Sequence, residues 1–183
     1  MKLKKLKKLS QMKKTLIMLL SLLAFTLNTS AQVEIPKDTP QLEFVMQLKV
    51  TLGEAYSCGE TQHGRRTIIP ITGGTFEGPD IKGTIINGGA DYQLGNSATN
   101  RTELEAIYCI KTDDGVYIHI RNRGIITSGK DEKGNPTFYF RCAPQFEAPG
   151  DSKYAWLNNS LFLCAPSFSQ GFQGIVLNVW RVK

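Results

Sequence analysis

The stretch Gly64–Leu94, GRRTIIPITGGTFEGPDIKGTIINGGADYQL, constrains the fold of this chain more than any other. It holds two short runs rich in Ile and Thr, Thr67 to Phe76 and Ile81 to Asn87, joined by Gly78-Pro79-Asp80. Short β-branched runs bounded by Gly, Pro and Asp read as strands joined by turns. Pro70 cannot donate to a sheet ladder, so its strand must place it at an edge or a bulge. Gly88-Gly89-Ala90-Asp91 then forms a corner where the backbone can turn sharply and be approached closely.

The same grammar continues in both directions. Leu42 to Thr51 alternates, with Leu42, Phe44, Met46, Leu48 and Val50 on one side, as in a half-buried strand. Glu105 to Thr112 and Val116 to Asn122 flank Asp113-Asp114-Gly115, a hairpin signal because Gly supplies the positive φ of the turn. Thr137 to Ala143 is an aromatic strand, and Leu161 to Ala165 and Ile175 to Val182 complete the set. About eight short strands with no room for crossover helices describe an all-β chain, an antiparallel barrel or sandwich.

The first residues read as an address. Seven lysines lie within residues 1–14, ahead of the apolar run Leu16 to Leu27 and the small-residue exit Thr29-Ser30-Ala31. That order describes a secretory signal peptide over 1–31, with Met12 as an alternative start to Met1. The run is short for a membrane span, so an uncleaved anchor is the lesser alternative and no stable membrane insertion is expected after cleavage. A loose lead-in follows over 32–41, then one β domain over 42–183. Export implies a periplasmic or secreted protein. Without the seven lysines the whole-chain balance of +6 falls to −1, which removes any electrostatic reason to expect nucleic acid as a partner.

Cys58, Cys109, Cys142 and Cys164 allow three full disulfide pairings, and spacing does not choose among them or against free thiols. No cysteine pair has zinc-ligand spacing, and only His63 and His119 are available, so no metal is expected. There is no GxSxG elbow, phosphate loop, dinucleotide fingerprint or HExxH, so no cofactor is expected either.

Six ordered pieces carry a resemblance over essentially all of 42–182. They are Gly64-Arg65-Arg66; Ile69-Pro70-Ile71-Thr72-Gly73-Gly74 with Gly78-Pro79 and Gly83; Gly88-Gly89-Ala90-Asp91; Asp113-Asp114-Gly115 with Asn122 and Gly124; Phe140-Arg141 with Pro144 and Phe146; and Tyr154-Ala155-Trp156-Leu157-Asn158. In this order they resemble the domain-of-unknown-function family numbered 3237. The resemblance implies a single closed antiparallel β-barrel, similar to allene oxide cyclase and dirigent-type barrels. Those enclose a small apolar cavity near one mouth that shapes a cyclisation or a radical coupling. No residue role carries over from them. Two features depart from the family pattern: the signal peptide, and Tyr92 where tryptophan is the more usual neighbour of the acid.

Several residues are candidates for chemistry. Asp91, at its glycine corner, is a general base at a cavity mouth if burial raises its pKa, or a turn-stabilising acid. Arg141 shares a strand face with Tyr139 and Ala143, opposite Phe138, Phe140 and Cys142. Its guanidinium must reach solvent or find an anion; as an anion site it either anchors a carboxylate or enolate ligand inside the barrel or pairs with an internal acid such as Asp91. Arg66, Tyr92, Asn122, Tyr154, Trp156 and Asn158 are candidate ligand contacts, each with an ordinary packing alternative. Two functions follow as expectations. One is a small-molecule-binding barrel for an apolar or aromatic ligand, an isomerase or cyclase in its catalytic form. The other is a non-catalytic secreted module with a filled barrel that acts through its outer surface. Whether the chain is an enzyme, and its oligomeric state, stay open at this level.

Overall fold

The structure is a computed structural model and describes residues 36–183; the signal peptide expected over 1–31 and residues 32–35 of the lead-in lie outside the described residues. Residues Pro40–Lys183 form a compact unit. Its ten strands are β1 (Leu42–Leu52), β2 (Tyr56–Thr61), β3 (Gly64–Glu77), β4 (Lys82–Ile85), β5 (Ala90–Asn96), β6 (Arg101–Thr112), β7 (Tyr117–Lys130), β8 (Pro136–Glu147), β9 (Phe162–Ser167) and β10 (Gly174–Val182), with a 3₁₀ turn over Ala155–Asn159 before β9.

Every pairing is antiparallel. The order β1-β10-β9-β8-β7-β6 runs through β4 and β5 to β3, and β3 pairs back onto β1, so the sheet closes as an eight-strand barrel. β4 and β5 sit one after the other between β3 and β6. β2 lies outside the ring and pairs with β3 alone. Closure leaves few open edges, the recurrent hazard of all-β chains. The expected Asp-Gly hairpin joins β6 to β7, with Gly115 N–H donating to the Thr112 carbonyl at 2.9 Å.

The core is the set of inward positions, among them Met46, Leu48, Val50, Ile110, Ile118, Ile120, Cys164 and Val179, all at most 2% exposed. The alternation expected for β1 holds only from Met46 onward. Its register slips between Phe44 and Met46, so Val45 is an extra residue that flips the strand's face. Leu42 and Phe44 therefore point outward, 53% and 42% exposed, instead of continuing the core stripe.

Pro70 sits where β3 changes both neighbours. On one flank β3 leaves β2 for β1, with a register break between Thr51 and Leu52; on the other it leaves β5, whose last pairing is Pro70 with Ala90, for β4. A missing N–H is least costly where the ladder is already interrupted.

The barrel has two unlike ends. The 3₁₀ turn plugs one, burying Leu157 in the core cluster that also holds Phe146 and Phe162. At the other end lie the end of β1, the start of β6, the end of β7, the start of β8 and the loop after β9, and that mouth leads into a cavity.

Candidate functional site

β5 carries the site. Gly89 holds φ +84, and an added Cβ there would run into the Ile107 carbonyl oxygen, so the corner is closed to any side chain. Ile71 N–H donates to the Gly89 carbonyl at 3.2 Å and Gly88 N–H to the Ile71 carbonyl at 3.1 Å, which clamps the corner onto β3. Asp91 emerges from this clamp into the mouth cavity.

Pairing register builds the rest. Asp91 lies opposite Ala106 on β6, and Ala106 lies opposite Asn122 on β7. An acid, a methyl group and an amide thus form one row across three strands, with the small residue leaving space between the two polar ones. All three line the cavity, which has a volume of about 110 Å³. Gln93 also lines it; the other walls are apolar or aromatic, including Ile69, Ile71, Tyr108, Ile126, Phe140 and, from the loop after β9, Phe168. No lysine or arginine lines it.

The hydrogen-bond inventory shows what this row lacks. Gln93 Nε2 donates to Asp91 Oδ2 at 2.7 Å. Asp91 Oδ1 and Asn122 Oδ1 are both buried with no partner, and Asn122 as a whole is only 3% exposed. Unpaired buried acceptors cost about 1–3 kcal/mol each, so two in one row need an explanation. Burial pushes the Asp91 carboxyl above its ordinary value, against the Gln93 side chain and a Glu105 backbone donor, which pull it down. Burial likewise pushes the Tyr108 phenol far up, so it stays a protonated hydroxyl at the cavity wall.

The other candidates are elsewhere. Arg141 does share a face with Tyr139 and Ala143, but that face is the outside: Phe140 and Cys142 take the interior, and Arg141 is exposed. This corrects the expectation of an interior anion anchor or a pair with Asp91. Its Nη1 donates to the Phe140 carbonyl at 2.7 Å and its guanidinium lies 5.7 Å from the Tyr139 ring. In a strand whose other face is the core, a guanidinium reaches water at less cost outside than in.

Arg66 and Tyr92 join Arg141 around a groove of about 640 Å³ on the outer face. That groove is larger than the mouth cavity, but its carboxylates are already matched. Glu103 meets Arg101 at 3.0 Å, and Glu105 meets Arg123 at 2.8 Å and Arg121 at 3.3 Å. Arg123 above all holds the Glu105 carboxyl below its ordinary value.

Tyr154, Trp156 and Asn158 lie at the plugged end and do not line the cavity that holds Asp91. Tyr154 Oη donates to Asp114 Oδ1 at 2.9 Å. Trp156 packs against Phe162 and under Arg181. Asn158 accepts from Ala148 N–H and donates to its carbonyl, both at 2.8 Å.

Sequence reasoning missed Gln93, Ala106, Tyr108 and Phe168. The signal for Gln93 was present: β5 places polar Asp91 and Gln93 at cavity positions where an ordinary strand has aliphatic ones.

Comparison with known proteins agrees with this architecture. The family described as "Protein of unknown function (DUF3237)" matches residues 40–182. A UPF0311 protein of Rhodopseudomonas palustris is 38% identical over 155 residues, covering 79% of this chain and 99% of that one. A hydroalkoxylation enzyme of Penicillium herquei is 30% identical over 141 residues, covering 77% of this chain and 82% of the enzyme. The crystal structure of a β-barrel-like protein from Acinetobacter baumannii, 30% identical, superposes with a TM-score of 0.69 over 83% of this chain and all of its own.

Proposed function

The chain belongs to the DUF3237 family, and from that premise we propose that its barrel mouth binds a small, uncharged, hydroxyl-bearing molecule and that Asp91 moves a proton on it. The reaction class is a redox-neutral isomerisation or cyclisation. The observation that carries this reading is the row Asp91–Ala106–Asn122 along the cavity wall, in which one oxygen of Asp91 and one of Asn122 are buried with no hydrogen-bond partner among the described residues. Asn122 Oδ1 selects a ligand that donates, Asp91 Oδ1 is the oxygen left to carry the carboxyl proton, and the absence of any lining lysine or arginine disfavours an anion. The apolar remainder of the wall suits a hydrocarbon or aromatic body.

The Penicillium herquei relative is named for hydroalkoxylation, the addition of O–H across a carbon–carbon double bond. The resemblance to allene oxide cyclase-type barrels points to ring closure as well. This chain's residues supply the parts such an addition needs. Protonated Asp91 gives its proton to one alkene carbon as the π bond breaks. The ligand oxygen, held by its O–H to Asn122 Oδ1, bonds to the other carbon. Its proton then passes to the Asp91 carboxylate and restores the acid. Atoms and electrons balance within ligand and carboxyl alone. Burial favours the starting, protonated form of Asp91. The rate therefore falls as pH rises through the raised Asp91 pKa.

The test uses a minimal hydroxy-alkene, 2-allylphenol. The reading expects slow ring closure by the full-length chain, lost in Asp91→Asn. Ring closure that survives Asp91→Asn unchanged would remove Asp91 from the mechanism. The competing reading, a secreted interaction module, draws on one observation: the outer groove is several times larger than the mouth cavity. It expects no ligand in the mouth. Export belongs to the proposal under either reading; cell fractionation with and without residues 1–31 tests it.

A further inference from the structure

The barrel's ladders are uneven. β7 and β8 pair at twelve positions, from His119–Glu147 to Lys130–Pro136. β8 and β9, the next two staves, pair at one: Cys142 opposite Cys164. The Phe146 and Phe162 rings also pack across this seam, with centroids 4.8 Å apart. The thinnest seam of the barrel thus has a cysteine on each side of its single rung.

We infer that Cys142 and Cys164 are a cross-link site, oxidised to a disulfide that staples this seam. Directly opposed residues of an antiparallel pair have Cα atoms about 4.5–5.5 Å apart, within the span of about 4.4–6.8 Å that disulfides use. Both side chains turn to the same interior side, at 4% and 1% exposure. Gly124, opposite Cys142 on β7, leaves the room: an added Cβ there would strike the Cys142 sulfur. The Cys164 sulfur and burial together hold the Cys142 thiol above its ordinary value, as expected for two sulfurs facing each other.

The topology excludes the other pairings. Cys58 is exposed on β2, whose sole neighbour is β3. Cys109 lies on β6 opposite His119, two strands from β8, and on the face away from the interior residues Tyr108 and Ile110. Strand spacing of about 4.8 Å puts β2 and β6 about 14 Å apart, beyond disulfide reach.

The electron balance needs a disulfide oxidant, here oxidised glutathione. One thiolate attacks it to form a mixed disulfide and release one reduced glutathione; the second thiolate displaces the other. The two thiols lose two protons and two electrons in all. Raised, buried thiols exchange slowly once folded, so the cross-link forms while the seam is closing during folding. Cys142 also lines the mouth cavity with Asp91, so the staple fixes one wall of the proposed site.

The experiment is refolding of the reduced, denatured full-length chain in a mixture of reduced and oxidised glutathione. Free thiols are then alkylated, and the chain is digested without reduction for mass spectrometry. The expected result is one cross-linked peptide joining Cys142 to Cys164, with Cys58 and Cys109 alkylated. Reductant should then lower the melting temperature by roughly 5–10 °C, as for a loop of about twenty residues. Four alkylated cysteines in the refolded protein, glutathione on Cys58 alone, or any other cross-link would overturn the assignment. Mapping the unaltered chain keeps the test independent of whether a cysteine variant folds.

Discussion

The two ends of the barrel use the same kinds of residue to opposite effect. At the plugged end Tyr154, Asn158 and Ser160 each have a named hydrogen-bond partner, and Leu157 is 1% exposed. At the open end Asp91 and Asn122 each leave one buried oxygen without a partner. Polar groups that serve the fold are matched within it, because an unmatched one destabilises it. In the proposed function, the groups left unmatched next to the cavity are the ones a ligand would meet. Tyr154, Trp156 and Asn158 were candidate contacts with a packing alternative in the sequence, and packing is the role they have.

Four variants sharpen or break that contrast. Asp91→Asn should abolish proton transfer at the mouth, a loss of about 10²–10⁴-fold in rate, while the fold survives. Its stability effect has a definite sign. The folded Asp91 pKa is raised, so Asp91 favours folding fully only below its unfolded value and loses that contribution as pH rises toward the folded value. Asp91→Asn should therefore gain stability over the parent as pH rises above the ordinary carboxylate range, seen by denaturant melts in a pH series. A flat difference would mean the carboxyl is not desolvated.

Leu157→Ala, at the plug, should cost about 2–5 kcal/mol in the same melts and leave the reaction rate nearly unchanged. Asn158→Ala should cost about 1–3 kcal/mol, since it strands both the N–H and the carbonyl of Ala148, again without affecting the ligand. The smallest effect is expected at Arg141. Replacement by Ala should change stability by less than about 0.5 kcal/mol and leave mouth binding intact, because the side chain is outside the barrel and meets no carboxylate within ion-pair distance among the described residues. A large loss of binding in Arg141→Ala would return the site to the outer groove.

Much of the architecture was legible in period-two runs and turn residues, and eight of the ten strands follow from them. β2 was not, because YSCGET lies outside the ring and buries no face that would impose alternation. β5 was not, because its cavity-facing positions are polar. The face shared by Tyr139, Arg141 and Ala143 was readable from parity, but which face was the interior depended on closure of the ring. The reversal at Val45 depended on a bulge that no residue type announces. Asp91 and Asn122 were each visible as candidates; their meeting across Ala106 was not, because it comes from the registers of β5 on β6 and β6 on β7 together. Opposed Cys142 and Cys164 are a product of register in the same way.

The most direct measurement compares phenol with toluene, near-isosteres that differ in one donor, as ligands of the full-length chain. NMR shifts at Ala106 report on the mouth. Both should perturb Ala106, and phenol should bind about tenfold more tightly, the worth of one buried hydrogen bond of about 1.4 kcal/mol. Asn122→Leu should erase that preference. Equal affinities for the two, or phenol shifts confined to Tyr92, Tyr139 and Arg141, would contradict the proposed mouth site.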